Sequence, residues 1–200
     1  MLKTRNSTRT RNILLNAGYN EIYLYGFQSA SIDNIIKKTN VTKGAFYHHF
    51  PTKHALGYAI INEIIKKKIT DDWIIPLEKS SNSIKTILDC FRKNIDELKS
   101  NTIILGCPLN NLAQEMSPLD RGFRKHTNEV YELWIHAIAY GLDNSIINGE
   151  IRKNINTNNI AYTIVCLIEG IYSLAKNSQD TKYLEIGYSN LKKFIEGLRV

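Results

Sequence analysis

Ten consecutive residues, Val41 to Phe50 (VTKGAFYHHF), crowd large, half-polar rings beside positive charge in this 200-residue chain. Thr42 and Lys43 precede two small residues, Gly44 and Ala45. Four rings follow (Phe46, Tyr47, His48, His49), and Phe50 closes the run. Lys38 and Lys53 flank it. Wound as a helix, Thr42 stands at the cap, and Lys43 lies at a dipole end that favours an anionic oxygen. Gly44 and Ala45 let the backbone come close to a partner, and the Ala45 methyl can touch a thymine methyl. Phe46 and Phe50, four residues apart, face one side together and anchor the helix. Tyr47 and His49 each offer a donor to a phosphate, and His48 points to a base edge or the opposite flank. Lys53 adds a phosphate contact from the next helix. This chemistry suits the major groove of duplex DNA, where bases are read from one short helix and phosphates are gripped around it. His48, His49 and His54 lack cysteine or carboxylate partners at ligand spacing, so neither a metal nor a cofactor is expected.

Such a helix needs a scaffold, and the chain upstream supplies one. Apolar residues at three- and four-residue spacing predict a first helix from about Thr8 to Tyr25,. Its expected buried side is Ile13, Leu14, Ala17, Tyr19, Ile22 and Leu24, with Gly26 as the stop. Ser31 is a plausible N-cap for a short second helix carrying Ile32, Ile35 and Ile36. Asn40 interrupts that helix and Thr42 caps the next. Two short helices joined by a few residues make a helix-turn-helix candidate. Charge agrees. The formal net charge is +7, and eleven of the 26 Lys/Arg but only three of the 19 Asp/Glu lie in residues 1–68. The remaining two thirds are nearly neutral. A one-sided basic excess is the footprint of a nucleic-acid-binding region.

With those residues in place, the segment SIDNIIKKTNVTKGAFYHHFPTKHAL closely resembles the helix-turn-helix signature of the TetR family of bacterial transcriptional regulators. The resemblance extends back through GFQSASI and the first helix. Gly18 and Glu21 depart from the apolar or helix-favouring residues usual there. The stretch GCPLNNLAQEMSPLDRGFR resembles one broad group of these regulators. The resemblance implies an all-α fold of nine helices, three for DNA and six for a ligand-binding and dimerising core. It implies phosphate contacts from Ser31, Thr42, Tyr47, His49 and Lys53, with Lys43, Gly44, Ala45 and His48 nearest the bases. It also implies a repressor that binds an operator palindrome as a homodimer and is released by a small-molecule effector.

Downstream, a long helix is expected over 53–75, then helices over 84–100, 109–116, 119–148, 157–177 and 180–198. The functional division is placed at 1–54 for DNA binding and 55–200 for ligand binding and dimerisation. The last two helices, about 157–198, are apolar on more than one face, which points to a symmetric dimer through them. Aromatic and aliphatic candidates for the effector wall are Phe91, Leu105, Leu112, Met116 and Phe123, with Tyr131, Trp134, Tyr162 and Tyr172. Such a wall suits an apolar or aromatic ligand. Cys107 and Glu115, near the Gly106-Cys107-Pro108 turn, are the polar members of that set, beside Asn110, Asn111 and Gln114. Three widely spaced cysteines predict buried free thiols,.

No run of about 18 apolar residues predicts a membrane span, and no signal-type stretch follows the basic N-terminus, so a cytoplasmic protein is expected. No GxSxG, HExxH, Walker A or GxGxxG motif supports an enzyme. A non-specific structural DNA binder would not need the large aromatic-rich remainder.

Overall fold

The computed structural model describes the backbone of residues 2–200 and the side chains of residues 7–200. The described residues form an all-helical chain: α1 (Leu2–Tyr25), α2 (Ile32–Lys37), α3 (Lys43–His49), α4 (residues 53–78), α5 (Ser83–Lys99), α6 (Pro108–Met116), α7 (Arg121–Ile147), α8 (Thr157–Ser178) and α9 (Lys182–Glu196). Nine helices therefore match the expected number. α4 is continuous but not uniform. It is π-wound over Ile60–Ile65 and again over Thr70–Ile74. One extra residue per turn shifts the buried face, a feature that a 3.6-residue pattern does not reveal.

The chain packs as two units. One is Met1–Lys67 with Pro108–Asn128; the other is Lys68–Cys107 with Glu129–Val200. Packing thus divides the chain differently from the functional division at residue 54, because α6 and the start of α7 join the N-terminal helices.

In the first unit, α1 begins earlier than Thr8, and its buried side differs from the expectation. Leu14, Leu15 and Ile22 are buried, whereas Ile13 and Leu24 are about two-fifths exposed. Gly18 and Glu21 also lie on the buried side. A Cβ on Gly18 would lie 2.8 Å from the Leu56 side chain, so glycine admits α4 there. Glu21 is buried and pairs with the Lys38 ammonium at 2.6 Å. Both departures from the family pattern are built into the helix contacts. Gly57 is similarly tight, because a Cβ would sit 2.5 Å from the Phe123 ring.

In the second unit, Trp73, Ile84, Ile87, Phe91, Trp134, Ile138, Ile164, Ile168, Leu184 and Leu191 form the apolar interior. Gln179 ends α8 in the left-handed region and holds the preceding strap by its amide. It accepts from the Ile104 N–H at 2.9 Å and donates to the Ile104 carbonyl at 3.0 Å. No helix among the described residues is long and apolar enough to cross a membrane. Cys90 and Cys107 are buried and Cys166 is exposed, so the expectation of three buried thiols holds for two.

Candidate nucleic-acid interface

α2 and α3 are fixed at their starts by side-chain caps. Ser31 Oγ accepts from the Asn34 N–H at 3.1 Å, and Thr42 Oγ1 from the Ala45 N–H at 3.2 Å. Both satisfy amides that the first helical turn leaves open. The turn between the helices spans residues 38–42. Phe46 and Phe50 are buried with ring centres 6.0 Å apart, so α3 is anchored by this pair. The opposite side is free: Thr42, Lys43, Gly44, Tyr47 and His48 are exposed, and Ala45 and His49 are half-buried. Positions 43 and 47, and 44 and 48, form adjacent rows at helical spacing. A Cβ on Gly44 would meet nothing within 4 Å. Packing therefore does not require glycine there.

Electrostatics sharpen the individual roles. Lys43 pairs with Asp33 at 2.8 Å, both side chains well exposed. The hydrogen bond to Lys43 holds the Asp33 carboxyl below its ordinary range. An exposed pair of this kind is weak and screened, so the lysine can exchange its partner readily. His49 is held below the ordinary imidazole value, first by burial and then by His48 and Arg11. It therefore favours the neutral ring with one N–H donor. Arg11 lies 5.1 Å over the Phe50 ring and grips both oxygens of Glu63 at 2.6 Å, tying α1 to α4 behind α3.

Lys53 differs from its expected role. Its ammonium donates to the carbonyls of Phe27 (2.9 Å), Gln28 (3.2 Å) and Ala30 (2.8 Å) and sits 4.8 Å over the Phe27 ring. All three protons are in use. Burial lowers its pKa, with Glu115 acting the other way. Lys53 is a buckle on the Gly26–Ala30 turn, not a free phosphate contact. Glu115 holds the same turn from the other side. Its two oxygens accept from the Phe27 and Gln28 N–H groups, each at 2.7 Å.

The expected effector wall is divided between the two units. Leu112, Glu115, Met116 and Phe123 belong to the first. There Phe123 packs edge-on against Phe27, Tyr58 and His54, and Glu115 is engaged as above. These are contacts of the N-terminal unit itself. Phe91, Leu105, Cys107, Tyr131, Trp134, Tyr162 and Tyr172 belong to the second. Phe91, Cys107, Trp134 and Tyr172 are buried there, and Leu105 and Tyr131 are half-buried. Phe91 lies 5.8 Å from Tyr172, and Trp134 lies 5.0 Å from Trp73. Tyr162 is 46% exposed on the outer side of α8, which removes it from an interior wall. Glu169 was missed. Its signal is an acid within the stripe Ala161, Ile164, Val165, Ile168, Tyr172 and Ala175, whose helical spacing is that of a buried face,.

Comparison with known proteins converges on one family. A family model for bacterial regulatory proteins of the tetR family matches residues 14–60, and one for the C-terminal domain of LmrA/YxaF-like transcriptional regulators matches residues 83–187. An uncharacterized HTH-type transcriptional regulator from the lacX 3' region of Lactococcus lactis is 29% identical over 199 residues, covering 98% of this chain and 97% of the relative. The HTH-type transcriptional repressor NemR of Escherichia coli is 25% identical over 195 residues, covering 93% of this chain and 94% of the repressor. A TetR transcriptional regulator from Chloroflexus aurantiacus superposes with a TM-score of 0.84 at 25% identity, covering 96% of each chain. The capped α2–α3 pair, the nine helices and matches spanning both parts of the sequence together establish that the chain belongs to the TetR family of DNA-binding transcriptional regulators, a non-enzymatic family, with a C-terminal domain of the LmrA/YxaF type.

Proposed function

We propose that the protein is a repressor that binds an operator palindrome as a homodimer and is released by a small-molecule effector. The observation that carries this reading is α3 itself, anchored by Phe46 and Phe50 and open at Lys43, Gly44, Tyr47 and His48. Ser31, Thr42, Tyr47 and His49 grip phosphates, while Lys43, Gly44, Ala45 and His48 face the bases. Lys53 supports them by holding the turn that leads into α2. Repression is favoured because relatives such as NemR are named as repressors.

The homodimer forms through α8 and α9. Tyr162, Leu167 and Leu174 on α8 and Ile186 on α9 are large apolar side chains left exposed, between 40% and 58%. Gly170 lies between Leu167 and Leu174 with nothing within 4 Å of its Cβ position, which favours close approach of a second helix,. A two-fold axis there would present two α3 helices to successive major grooves, about 34–36 Å apart.

Release follows from a population shift. An effector in the second unit favours a form in which α4 tilts and the two α3 helices lose their spacing.

Selection of bound fragments from the organism's own DNA tests the proposal. The expected result is a fragment with a palindrome whose two half-sites are protected together. Enrichment of fragments with no common site would refute it.

A further inference from the structure

The described residues include three buried carboxylates, Glu21, Asp72 and Glu169. Two have counter-ions. Glu21 pairs with Lys38, and Asp72 pairs with Lys68 at 2.9 Å and Lys93 at 2.6 Å. Glu169 has none. It is 8% exposed, and apart from a weak approach by the Cys107 thiol neither of its oxygens has a hydrogen-bond partner. The influences on its carboxyl are burial and the nearby Cys107 thiol; no cation is among them. Burial dominates and raises its pKa to about 7.

Its surroundings are polar in one further respect. Tyr172, one turn along α8, has a buried hydroxyl with no partner, and Trp134 has a buried indole N–H with no partner. Tyr172 and Tyr131 both feel the Glu169 charge electrostatically, and Trp134 follows Tyr131 by one turn of α7. An acid with no counter-ion weakens a core. Two further unmet polar atoms in the same unit add to that cost,. A leucine or glutamine at 169 would suit packing better. These groups make sense together if something else completes them.

We infer that Glu169, Tyr172 and Trp134 form the recognition point of the effector site, and that the effector is a small organic ammonium with an aromatic or apolar body. The inference rests on the effector-released reading above and gives that effector its chemical class. The ammonium replaces the missing counter-ion by donating to Glu169. Aromatic faces of Phe91, Tyr131 and Tyr172 suit both a cation and an apolar body. The Tyr172 hydroxyl and Trp134 N–H are left to orient an acceptor atom on the ligand. Cys107 adjoins the Glu169 carboxyl.

Three matched probes test this by calorimetric titration of the full-length protein at millimolar concentrations: benzylamine as its ammonium, benzyl alcohol and benzoate. The expected order places the ammonium first by about tenfold or more, the size of one charge-assisted contact. Glu169→Gln should remove that preference, and Glu169→Asp should keep part of it. Binding of the alcohol or benzoate as tightly as the ammonium, binding of none of the three, or an unchanged preference in Glu169→Gln would each overturn the assignment. If Glu169→Gln does not fold, the order in the wild-type protein decides. A separate readout isolates the regulatory premise. Ammonium binding that leaves operator affinity unchanged would keep the site and refute release by effector.

Discussion

Replacing Glu115 by alanine should loosen the turn that leads into the DNA-reading helices. Glu115 accepts two backbone N–H bonds, from Phe27 and Gln28, each at 2.7 Å. A hydrogen bond to a charged group contributes about 1.5–3 kcal/mol net. The Gln28 end is exposed to water, which recovers part of its bond, so the expected loss is about 2–3 kcal/mol for the pair. In a chain of this length that lowers Tm by roughly 5–10 °C. Glu115→Gln keeps one acceptor oxygen but points an amide N–H₂ at a backbone N–H, and should lose about half as much. Lys53 still buckles the carbonyls of the same turn, so the fold should persist while α2 and α3 lose their fixed entry angle. Thermal unfolding by circular dichroism gives the first number, and operator titration below the transition gives the second. A Tm within about 1 °C of wild type, together with unchanged operator affinity, would refute the clamp.

Three other outcomes follow from separate parts of the molecule. Gly44→Ala fills open space and improves helix propensity by about 0.5–1 kcal/mol, so it should keep or raise Tm yet weaken operator binding; equal binding would remove Gly44 from the contact face. Leu174→Glu places charge in the exposed apolar face of α8 and should shift the protein to monomer in sedimentation; an unchanged dimer would move the interface elsewhere. Glu169 links stability to pH. Its folded pKa of about 7 lies above the ordinary carboxyl value of 4.5, so the folded state holds the extra proton between them. Stability should therefore fall as pH rises from about 4.5 to 7, by about 3 kcal/mol in total. Glu169→Gln should flatten that decline relative to wild type, whereas identical pH profiles of denaturant unfolding would contradict the raised pKa.

The parts of this fold that sequence discloses are those governed by local rules. The caps at Ser31 and Thr42, the Phe46–Phe50 anchor and the extents of α5 to α9 follow from side-chain type and helical spacing, and the structure places them close to where those rules put them. Long-range partners are another matter. Lys53 looks like any lysine beside a DNA-reading helix, and only the approach of three carbonyls in the Phe27–Ala30 turn assigns it elsewhere. Glu115 and Phe123 lie in a segment that resembles part of a sensor region, but packing joins them to the N-terminal unit. Tyr162 and Tyr172 lie only about a quarter turn apart in helical angle, yet the packing of the neighbouring helices leaves one exposed and buries the other. Glu169 was legible as an acid in a buried stripe. Its lack of a counter-ion was not, because that depends on every helix packed around it.

The central claim is that the exposed side of α3 reads a specific DNA sequence. Titration of the selected operator and a scrambled duplex at physiological salt, with wild type and Tyr47→Phe side by side, tests it most directly. Tyr47 is 45% exposed, so the substitution should leave Tm unchanged and remove one phosphate donor. Wild type should prefer the operator by about 10³ or more, and Tyr47→Phe should bind it roughly 3- to 10-fold less tightly. Equal affinity of wild type for the two duplexes would contradict the claim.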